Sequence, residues 1–259
     1  MIYGLVIAVG AASGFLAGLV GLGGGILSAP LLLFAPGLFG LADLPVKEVT
    51  GLTMVQGLAG ALSGLVRHSS YGFVSRRLVG YIGVSVAVTA VLGALLSQWV
   101  PDRGILAVFA GMAMVAALLV FLPRPDNGGD QDRPTEVAFN VWLAMGLAAL
   151  IGLGGGLVGQ AGSFILIPTM IYLLRIPTRI AIGSNLGIIL LASLAGVAGK
   201  LAAAQVPLLL AAALVGGAIP GAQLGAWVGR RVQPRKLRYI LAGVVGLAAL
   251  RIWWDVFSG

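Results

Sequence analysis

The sequence predicts an all-α integral membrane protein made of two inverted repeats, each a broken helical hairpin followed by three transmembrane helices. The chain of 259 residues is 59% hydrophobic and only 9% charged, whereas a soluble domain carries roughly 25% charged residues. Its apolar runs are long enough to cross a bilayer. A glycine-rich interruption of an apolar run occurs twice, at corresponding places in the two halves of the chain.

The glycine-rich interruption lies in Gly14–Pro30 and again in Gly152–Pro168. Aligning the two prolines gives an offset of 168 − 30 = 138, which superposes Gly18–Gly21 on Gly156–Gly159. Inside a bilayer, irregular backbone survives only where protein buries it or where it lines a polar cavity. Two such breaks in corresponding positions indicate the substrate site of a transporter.

The elements follow from the alternation of apolar runs and polar loops. Repeat 1 covers residues 1–122, with a broken hairpin at 2–39 and helices at about 49–66, 78–99 and 104–122. Residues 123–136 form a polar linker that holds proline, asparagine, glycine and four acidic residues. Repeat 2 covers residues 137–259, with a broken hairpin at 137–174 and helices at about 180–203, 207–228 and 237–256.

Beyond the breaks, the second half repeats the first at a constant offset. Pro45 pairs with Pro177, since 177 − 45 = 132, and the same offset superposes Thr53 on Asn185. It also aligns two ladders of small residues, which are Ser85, Thr89, Gly93 and Ser97 in the first half and Gly217, Gly221, Gly225 and Gly229 in the second. One register held over three spans indicates a duplication.

Loop charge predicts how the halves are oriented. The basic loop 67–77 corresponds to a nearly bare loop near Lys200, and the neutral loop at Asp102 corresponds to the strongly basic Arg230–Arg238. The positive-inside rule therefore places corresponding loops on opposite sides, as in an inverted repeat. With three spans after each break, each broken segment must return to its starting side. We expect a cytoplasmic linker, non-cytoplasmic termini and a multi-pass protein of a bacterial-type inner membrane.

The residue inventory argues against an enzyme. The chain has no cysteine, no HExxH motif and a single histidine, and all eight acidic residues lie in loops or at segment ends. No intramembrane carboxylate pair is therefore predicted, and we expect no catalytic residues, metal or cofactor. The net charge of +8 arises largely in short loops between spans, where it sets orientation, and it does not indicate a nucleic-acid partner.

The duplicated break resembles a known family. The motifs are Gly21-Leu22-Gly23-Gly24-Gly25 with Pro30, and Gly159-Gln160-Ala161-Gly162-Ser163 with Pro168. In a chain of this length with two four-segment halves, they resemble the sulfite exporter TauE/SafE family over nearly the whole sequence. The resemblance implies transport of small sulfur oxyanions or organosulfonates, such as sulfite or sulfoacetate, usually outward. The second copy departs from a pure glycine run, so the anion, the direction and the coupling ion stay open.

The chemistry of the break agrees with an anionic substrate. After each break a helix restarts, and a helix N-terminus exposes unpaired N–H groups and about half a positive charge. Such an end binds a sulfonate or sulfite without a cationic side chain. If the hairpins enter from opposite faces, both ends meet near the midplane. The predicted substrate-binding residues are Gly23, Gly24, Gly25, Thr53, Gln56, Gln160, Gly162, Ser163, Ser184 and Asn185.

Glycines elsewhere in the spans have a packing interpretation. Gly14, Gly18, Gly152 and Gly156 suit close helix contact, so we expect Gly14→Ala to be far milder than a substitution at the break. The ridge Gly217–Gly229 leaves a homo-oligomer contact open, although contact within the monomer is favoured.

Three functions remain distinguishable at this point. The favoured one is an alternating-access transporter for a small anion, with the lipid bilayer as a second partner and a homo-oligomer left open. A passive anion channel and a non-transport membrane assembly protein are the alternatives. If transport is coupled, the absence of buried carboxylates leaves the substrate's own proton, backbone carbonyls or His68 to carry the coupling.

Overall fold

A computed structural model describes residues 1–20, 25–68, 74–121, 138–229, 243, 246 and 250–254. All regular secondary structure within these ranges is helical. The α-helices in chain order are α1 (Ile2–Val20), α2 (Gly25–Leu38), α3 (Val46–His68), α4 (Arg76–Leu78), α5 (Val84–Leu96), α6 (Asp102–Phe121), α7 (Val141–Val158), α8 (Ser163–Pro168), α9 (Thr178–Ala202) and α10 (Leu208–Gly229). Two π-helical turns extend them, Val79–Gly83 between α4 and α5 and Thr169–Leu173 after α8.

Six helical windows among the described residues are long and apolar enough to cross a membrane. They are residues 2–19, 76–96, 102–119, 141–158, 180–202 and 208–228. The shortest has 18 residues, about 27 Å of helix against a hydrocarbon core of about 30 Å. The prediction of an all-α integral membrane protein is confirmed. The linker 123–136 and most of the predicted helix at 237–256 lie outside the described residues.

Local sequence sets several helix boundaries. Asn140 begins α7, and its side-chain oxygen accepts a hydrogen bond from the backbone N–H of Leu143 at 3.1 Å, which satisfies one open donor of the first turn. Ser75 caps α4 in the same way. Pro177 stands in extended backbone directly before α9, where it fixes the entry of the chain into the helix.

The two broken segments have arms of unequal length. In each, the first arm is a helix of membrane-spanning length, α1 or α7, whereas the second is short: α2 has 14 residues and α8 only six before its π-helical turn. The hairpin interpretation predicted a break within 2–39 and within 137–174, and α1 and α2 are separated at residues 21–24, which lie outside the described ranges. Return of each hairpin to its starting side stays a prediction.

The most extensive helix contacts join α1 to α10 and α7 to α5. Small residues allow this close approach. A Cβ added at Gly14 or Gly18 of α1 would overlap the backbone of Ala218 or Ala222. Added at Gly152 or Gly156 of α7, it would overlap Val86 or Ala90 in α5. The packing interpretation of these four glycines is confirmed.

These paired contacts follow the two sequence offsets. Gly14 and Gly152 differ by 138, and their contact residues Ala218 and Val86 differ by 132. The first helix of each half therefore packs on the other half. This exchange supports the duplication, while the inverted orientation stays a prediction.

Helix α9 is the centre of the bundle. Its window is 67% buried, whereas the other five are 28–39% buried. Helix α3 packs against it in antiparallel orientation, with Met54 against Gly196 and Thr50 against Lys200. The predicted polar residues of both halves lie on these two helices, so their crossing frames the site.

Contacts near the helix ends show which of these ends lie together on the same side of the bundle. At the Lys47 end, the Lys47 ammonium donates to the carbonyl of Gln98 at 2.8 Å, and the Ser97 hydroxyl lies 2.9 Å from Gln205 Oε1. At the Arg77 end, the Arg77 guanidinium lies 5.5 Å from the ring centre of Phe139. The residues that begin α3 and end α5 and α9 thus share one end, and those that begin α4 and α7 share the other.

Candidate functional site

The second glycine-rich break is a compact reversal at the end of α7. Gly159 ends the helix with φ of +80°, and Ala161 and Gly162 follow at +50° and +68°. The backbone N–H groups of Gln160 and Ala161 both donate to the carbonyl of Gly155, at 2.8 and 3.2 Å. Because left-handed backbone is costly for residues with a Cβ, the glycines at 159 and 162 make this turn accessible.

The break is held against α3. The Thr53 hydroxyl lies 2.9 Å from the carbonyl oxygen of Gly159, and a Cβ at Gly159 would overlap the backbone of Thr50. Thr53 is fully buried. The structure therefore brings Thr53 together with the predicted residues of the second break, Gln160, Gly162 and Ser163, of which Gln160 and Ser163 are also buried.

The helix N-terminus after this break is not open. The Ser163 N–H donates to the carbonyl of Gln160, and those of Ile165 and Leu166 donate to Gly162, each at 3.1 Å. Phe164 fills the space behind it, edge-on to Phe109 with ring centres 5.9 Å apart. Three of the first donors of α8 are already bonded within the turn, which leaves little of the amide cluster that the sequence suggested for an anion.

The first break is described only at its margin. Gly23 and Gly24 lie outside the described residues, and Gly25 begins α2.

Gln56 points into the bundle between α3 and α1. Its Nε2 donates to the Ser13 hydroxyl at 2.8 Å, and that hydroxyl lies 2.6 Å from the carbonyl of Val9. Gln56 Oε1 is buried and has no hydrogen-bond partner among the described residues. A buried acceptor without a partner costs about 1–3 kcal/mol, so this position suits a ligand or water that donates.

Ser184 and Asn185 lie near the Arg77 end. The Ser184 hydroxyl accepts a hydrogen bond from the backbone N–H of Ser75 at 3.0 Å, so it supports the start of α4. Asn185 is fully buried, and within the described part of the chain neither its oxygen nor its nitrogen has a partner.

Thr53 and Asn185, equivalent in sequence, do not meet. Interpolating between the contacts of Met54 with Gly196 and Thr50 with Lys200 puts residue 197 opposite Thr53. Asn185 is twelve residues away on the same helix, about 18 Å at a rise of about 1.5 Å per residue. The predicted pseudo-symmetric pair is thus two separate positions.

Sequence reasoning missed the charged residue of the site. Lys200 fell at the end of the predicted helix 180–203, beside a nearly bare loop, and was given no functional role, yet it is fully buried inside α9. Its Nζ lies within hydrogen-bond distance of four oxygens, on Thr50 (2.8 Å), Ser97 (2.8 Å), Gln205 (2.8 Å) and the carbonyl of Leu157 (3.2 Å). We refer to these four oxygens as the Lys200 cage. A lysine three residues before the end of a long apolar run was the available signal.

A tight turn completes the cage. Ala204 adopts φ of +54°, and the Gln205 N–H donates to the Lys200 carbonyl at 3.0 Å. Gly51 of α3 lies so close to this turn that an added Cβ would overlap the Gln205 carbonyl. The turn therefore brings Gln205 back beside Lys200, and the absence of a side chain at Gly51 brings Thr50 to the same place.

No group of three or more metal-ligating His, Cys, Asp or Glu side chains occurs in the described portion of the chain. The polar groups assembled here are hydroxyls, amides, carbonyls and one ammonium. They can bind a charged solute, and they contain no nucleophile paired with a base.

Comparison with known proteins identifies the class of this chain. Residues 6–252 match the family model described as sulfite exporter TauE/SafE. The chain is 26% identical over 275 residues to the probable membrane transporter protein YunE of Bacillus subtilis, covering all of both chains. It is 25% identical over 257 residues to a probable membrane transporter protein of Methanocaldococcus jannaschii, covering 95% of this chain and 93% of that protein.

A probable membrane transporter protein of Xylella fastidiosa is 28% identical over 187 residues, covering 71% of this chain and 69% of its own length. No solved structure matches the chain significantly. The family match spans nearly the whole sequence and the relatives bear transporter names, so this is a membrane transporter and not an enzyme, and the chain belongs to the sulfite exporter TauE/SafE family.

Proposed function

We propose that this protein is a secondary transporter that exports small sulfur oxyanions or organosulfonates, such as sulfite or sulfoacetate, across a bacterial cytoplasmic membrane. The observation that carries the proposal is the Lys200 ammonium, buried beside the second break with no carboxylate among its contacts. An uncompensated cation inside an apolar bundle favours an anion nearby. The family description supplies the substrate class and the direction.

The substrate path runs between α3 and α9. Unpartnered buried amide atoms on Gln56 and Asn185 support this path, because each offers hydrogen-bonding capacity that the described protein leaves unused. The two positions lie at different depths of the crossing. An anion that moves from the Asn185 position to the Lys200 cage would therefore meet the Gln56 amide along the way.

Alternating access then requires the breaks to move in turn. The second break rests on Thr53 through one hydrogen bond to Gly159, so a small displacement of the end of α7 would open it. The exchanged packing of α1 on α10 and α7 on α5 gives each break a rigid support in the other half. Rocking of one half against the other is the motion that such supports permit.

Flux measurements on purified protein in proteoliposomes test this function. We expect saturable flux of radiolabelled sulfite or sulfoacetate, and counterflow when unlabelled anion is present on the opposite side. Sulfate provides a comparison anion of similar shape. Large unitary currents in a planar bilayer, with no counterflow, would replace the carrier with a channel.

Cysteine labelling tests the orientation. Asp43 is exposed and adjoins the Lys47 end, whereas Ala138 is exposed and adjoins the Arg77 end. We expect Asp43→Cys to react from the non-cytoplasmic side and Ala138→Cys from the cytoplasmic side only. The reverse labelling, with Asp43→Cys reacting from the cytoplasmic side and Ala138→Cys from the other side, would refute this orientation.

A further inference from the structure

The Lys200 cage offers only acceptors to the amine that it surrounds. The Thr50 hydroxyl donates its hydrogen to the Lys47 carbonyl at 2.7 Å, and the Ser97 hydroxyl lies 2.6 Å from the carbonyl of Ala94. The remaining two oxygens, on Leu157 and Gln205, belong to a carbonyl and an amide and can only accept. An ammonium has three donors and no lone pair, so this arrangement fits the protonated amine. A neutral amine would turn its lone pair towards an oxygen.

The cage carries no counter-charge. The contacts of Nζ from α3, α5, α7 and the α9–α10 connection are hydroxyl, carbonyl and amide oxygens, none of which titrates. Lys47 on α3 lies at the same end of the bundle, and its positive charge opposes that of Lys200. Glu48 follows Lys47 in the sequence and is not among the contacts of Nζ. A carboxylate partner would hold the proton through an ion pair, whereas neutral oxygens allow the amine to release it.

We propose that Lys200 is the proton-binding site through which this transporter couples anion movement to proton movement. The inference rests on the transport function proposed above and names its coupling ion. The proton binds the lone pair of Nζ from water on the side to which the site is open and returns to water on the other side. A monoanion that travels with one proton carries no net charge, so flux follows the combined anion and pH gradients. Net export then requires an outward anion gradient that exceeds the inward proton gradient.

The cage is mechanically linked to the break. Leu157 stands two residues before Gly159 in the last turn of α7, and Gly159 itself lies against Thr50. Any movement of the second break therefore withdraws the Leu157 carbonyl from Nζ and disturbs the Thr50 hydroxyl. Fewer oxygens around the amine means weaker proton binding, so opening the break favours release.

Anion and proton assist each other at this site. A bound proton places a positive charge within one turn of the break, which strengthens anion binding there, and by linkage the anion strengthens proton binding equally. We therefore expect the two to bind and move together, with anion affinity rising as the pH falls.

The test separates pH-driven accumulation from simple exchange. Proteoliposomes containing the full chain are given radiolabelled sulfite or sulfoacetate under two conditions, an inside-alkaline pH gradient and counterflow at equal pH. Wild type should show both. Lys200→Met removes both the proton site and the positive charge that attracts the anion, so it should slow counterflow and lower pH-driven accumulation by about tenfold, within the usual range of a coupling between two sites.

Two further variants guard against a simple folding defect. Lys200→Arg keeps the charge but cannot release a proton, and Gln205→Glu gives the ammonium a carboxylate partner that retains it. Lys200→Arg should exchange anions at a reduced rate and fail to accumulate them. Gln205→Glu also weakens the positive charge that the anion meets, so it should slow exchange as well as accumulation. Lys47→Arg is the matched control, because it makes the same replacement at another lysine of this end and keeps its charge, and it should accumulate like wild type.

Each outcome decides the matter. Wild-type accumulation in Lys200→Met or Lys200→Arg overturns the proposal, and so does flux in the wild-type protein that ignores the pH gradient. Equal losses of counterflow and accumulation in Lys200→Arg, which keeps the charge, would limit Lys200 to structure or anion binding and also overturn the coupling role. No anion flux of any kind in the wild-type protein would overturn the transport function itself.

Discussion

The two ends of the α3–α9 crossing are built differently. At the Lys47 end, Thr53 and Lys200 have hydrogen-bond partners on other helices, and the second break is bonded to one of them. At the Arg77 end, Ser184 supports a backbone N–H, while the Asn185 amide is buried without a partner among the described residues. The polar groups at the Lys47 end are thus hydrogen-bonded within the protein, whereas the Arg77 end holds an amide whose hydrogen-bonding capacity is unused among the described residues.

This difference indicates that positions equivalent by the two sequence offsets agree more closely in packing than in polar chemistry. The glycine contacts of α1 and α7 obey both offsets. The polar positions do not correspond in type, because Thr53 is equivalent to Asn185, and Lys200 to His68, since 200 − 132 = 68. Helix packing constrains size at many positions, whereas a transport site that faces two sides in turn needs different chemistry at each.

The largest loss of stability should come from Gly159→Ala, which disrupts the packing of the second break on α3 at the Lys47 end. The substitution forces a residue with a Cβ to φ of +80° and drives that Cβ into the backbone of Thr50. Left-handed strain of about 1–2 kcal/mol and overpacking of about 1–3 kcal/mol together predict a loss of about 2–5 kcal/mol. Thermal unfolding in detergent measures it, and counterflow should disappear.

Gly146→Ala is the matched control, because Gly146 lies in the same helix with no atom within 4 Å of an added Cβ. It should unfold like wild type. Equal stability of the two variants would mean that the break does not rest on α3.

The next effect concerns Gly14→Ala in α1, away from both ends. The sequence predicts a milder outcome than for a substitution at the break, and the structure shows that a cost remains, since the new Cβ would overlap the backbone of Ala218. Backbone atoms of two long helices cannot yield locally, so we expect a loss of about 1–3 kcal/mol. Gly4→Ala in the same helix has open space and serves as the control. A melting temperature unchanged in Gly14→Ala would show that α1 and α10 separate easily.

These glycines show what sequence could and could not predict. Their spacing identified packing faces, because small residues at helical intervals have few other uses in a membrane helix. It could not identify the partner helix or the closeness of contact. Lys200 was missed for a similar reason: its four oxygens come from residues 5 to 150 positions away, and a lysine near the end of an apolar run is ordinarily drawn into a loop. Thr53 and Asn185 occupy equivalent positions at the 132 offset, but equivalence in sequence does not imply proximity in the structure.

A smaller effect should follow from Thr53→Val, which removes one hydroxyl from the Lys47 end and keeps the shape. The lost hydrogen bond to Gly159 should lower the free energy of unfolding by about 1 kcal/mol. It should also loosen the second break, so the counterflow rate should fall clearly although the protein stays folded. Thr89→Val is the control, since the Thr89 hydroxyl contacts carbonyls of its own helix only. Identical counterflow rates in the two variants would mean that the Thr53 hydrogen bond does not control the opening of the second break.

The smallest effect on stability, and the sharpest test of the comparison, is Asn185→Leu. Replacing a fully buried amide that has no described partner by an apolar side chain of similar size should leave stability unchanged or raise it by about 1–3 kcal/mol, the cost of the unsatisfied group. Gln56→Met is the contrasting variant, because Gln56 Nε2 donates to Ser13 and the loss of this hydrogen bond should destabilise the protein.

If the Asn185 amide binds the substrate, Asn185→Leu should raise the half-saturating sulfite or sulfoacetate concentration by about tenfold, equivalent to about 1.4 kcal/mol of lost anion contact. A loss of stability like that of Gln56→Met would mean that Asn185 is structural and that the two ends of the crossing do not differ as argued. Wild-type affinity in a stable Asn185→Leu protein would move the substrate path away from the Arg77 end and towards the Lys200 cage.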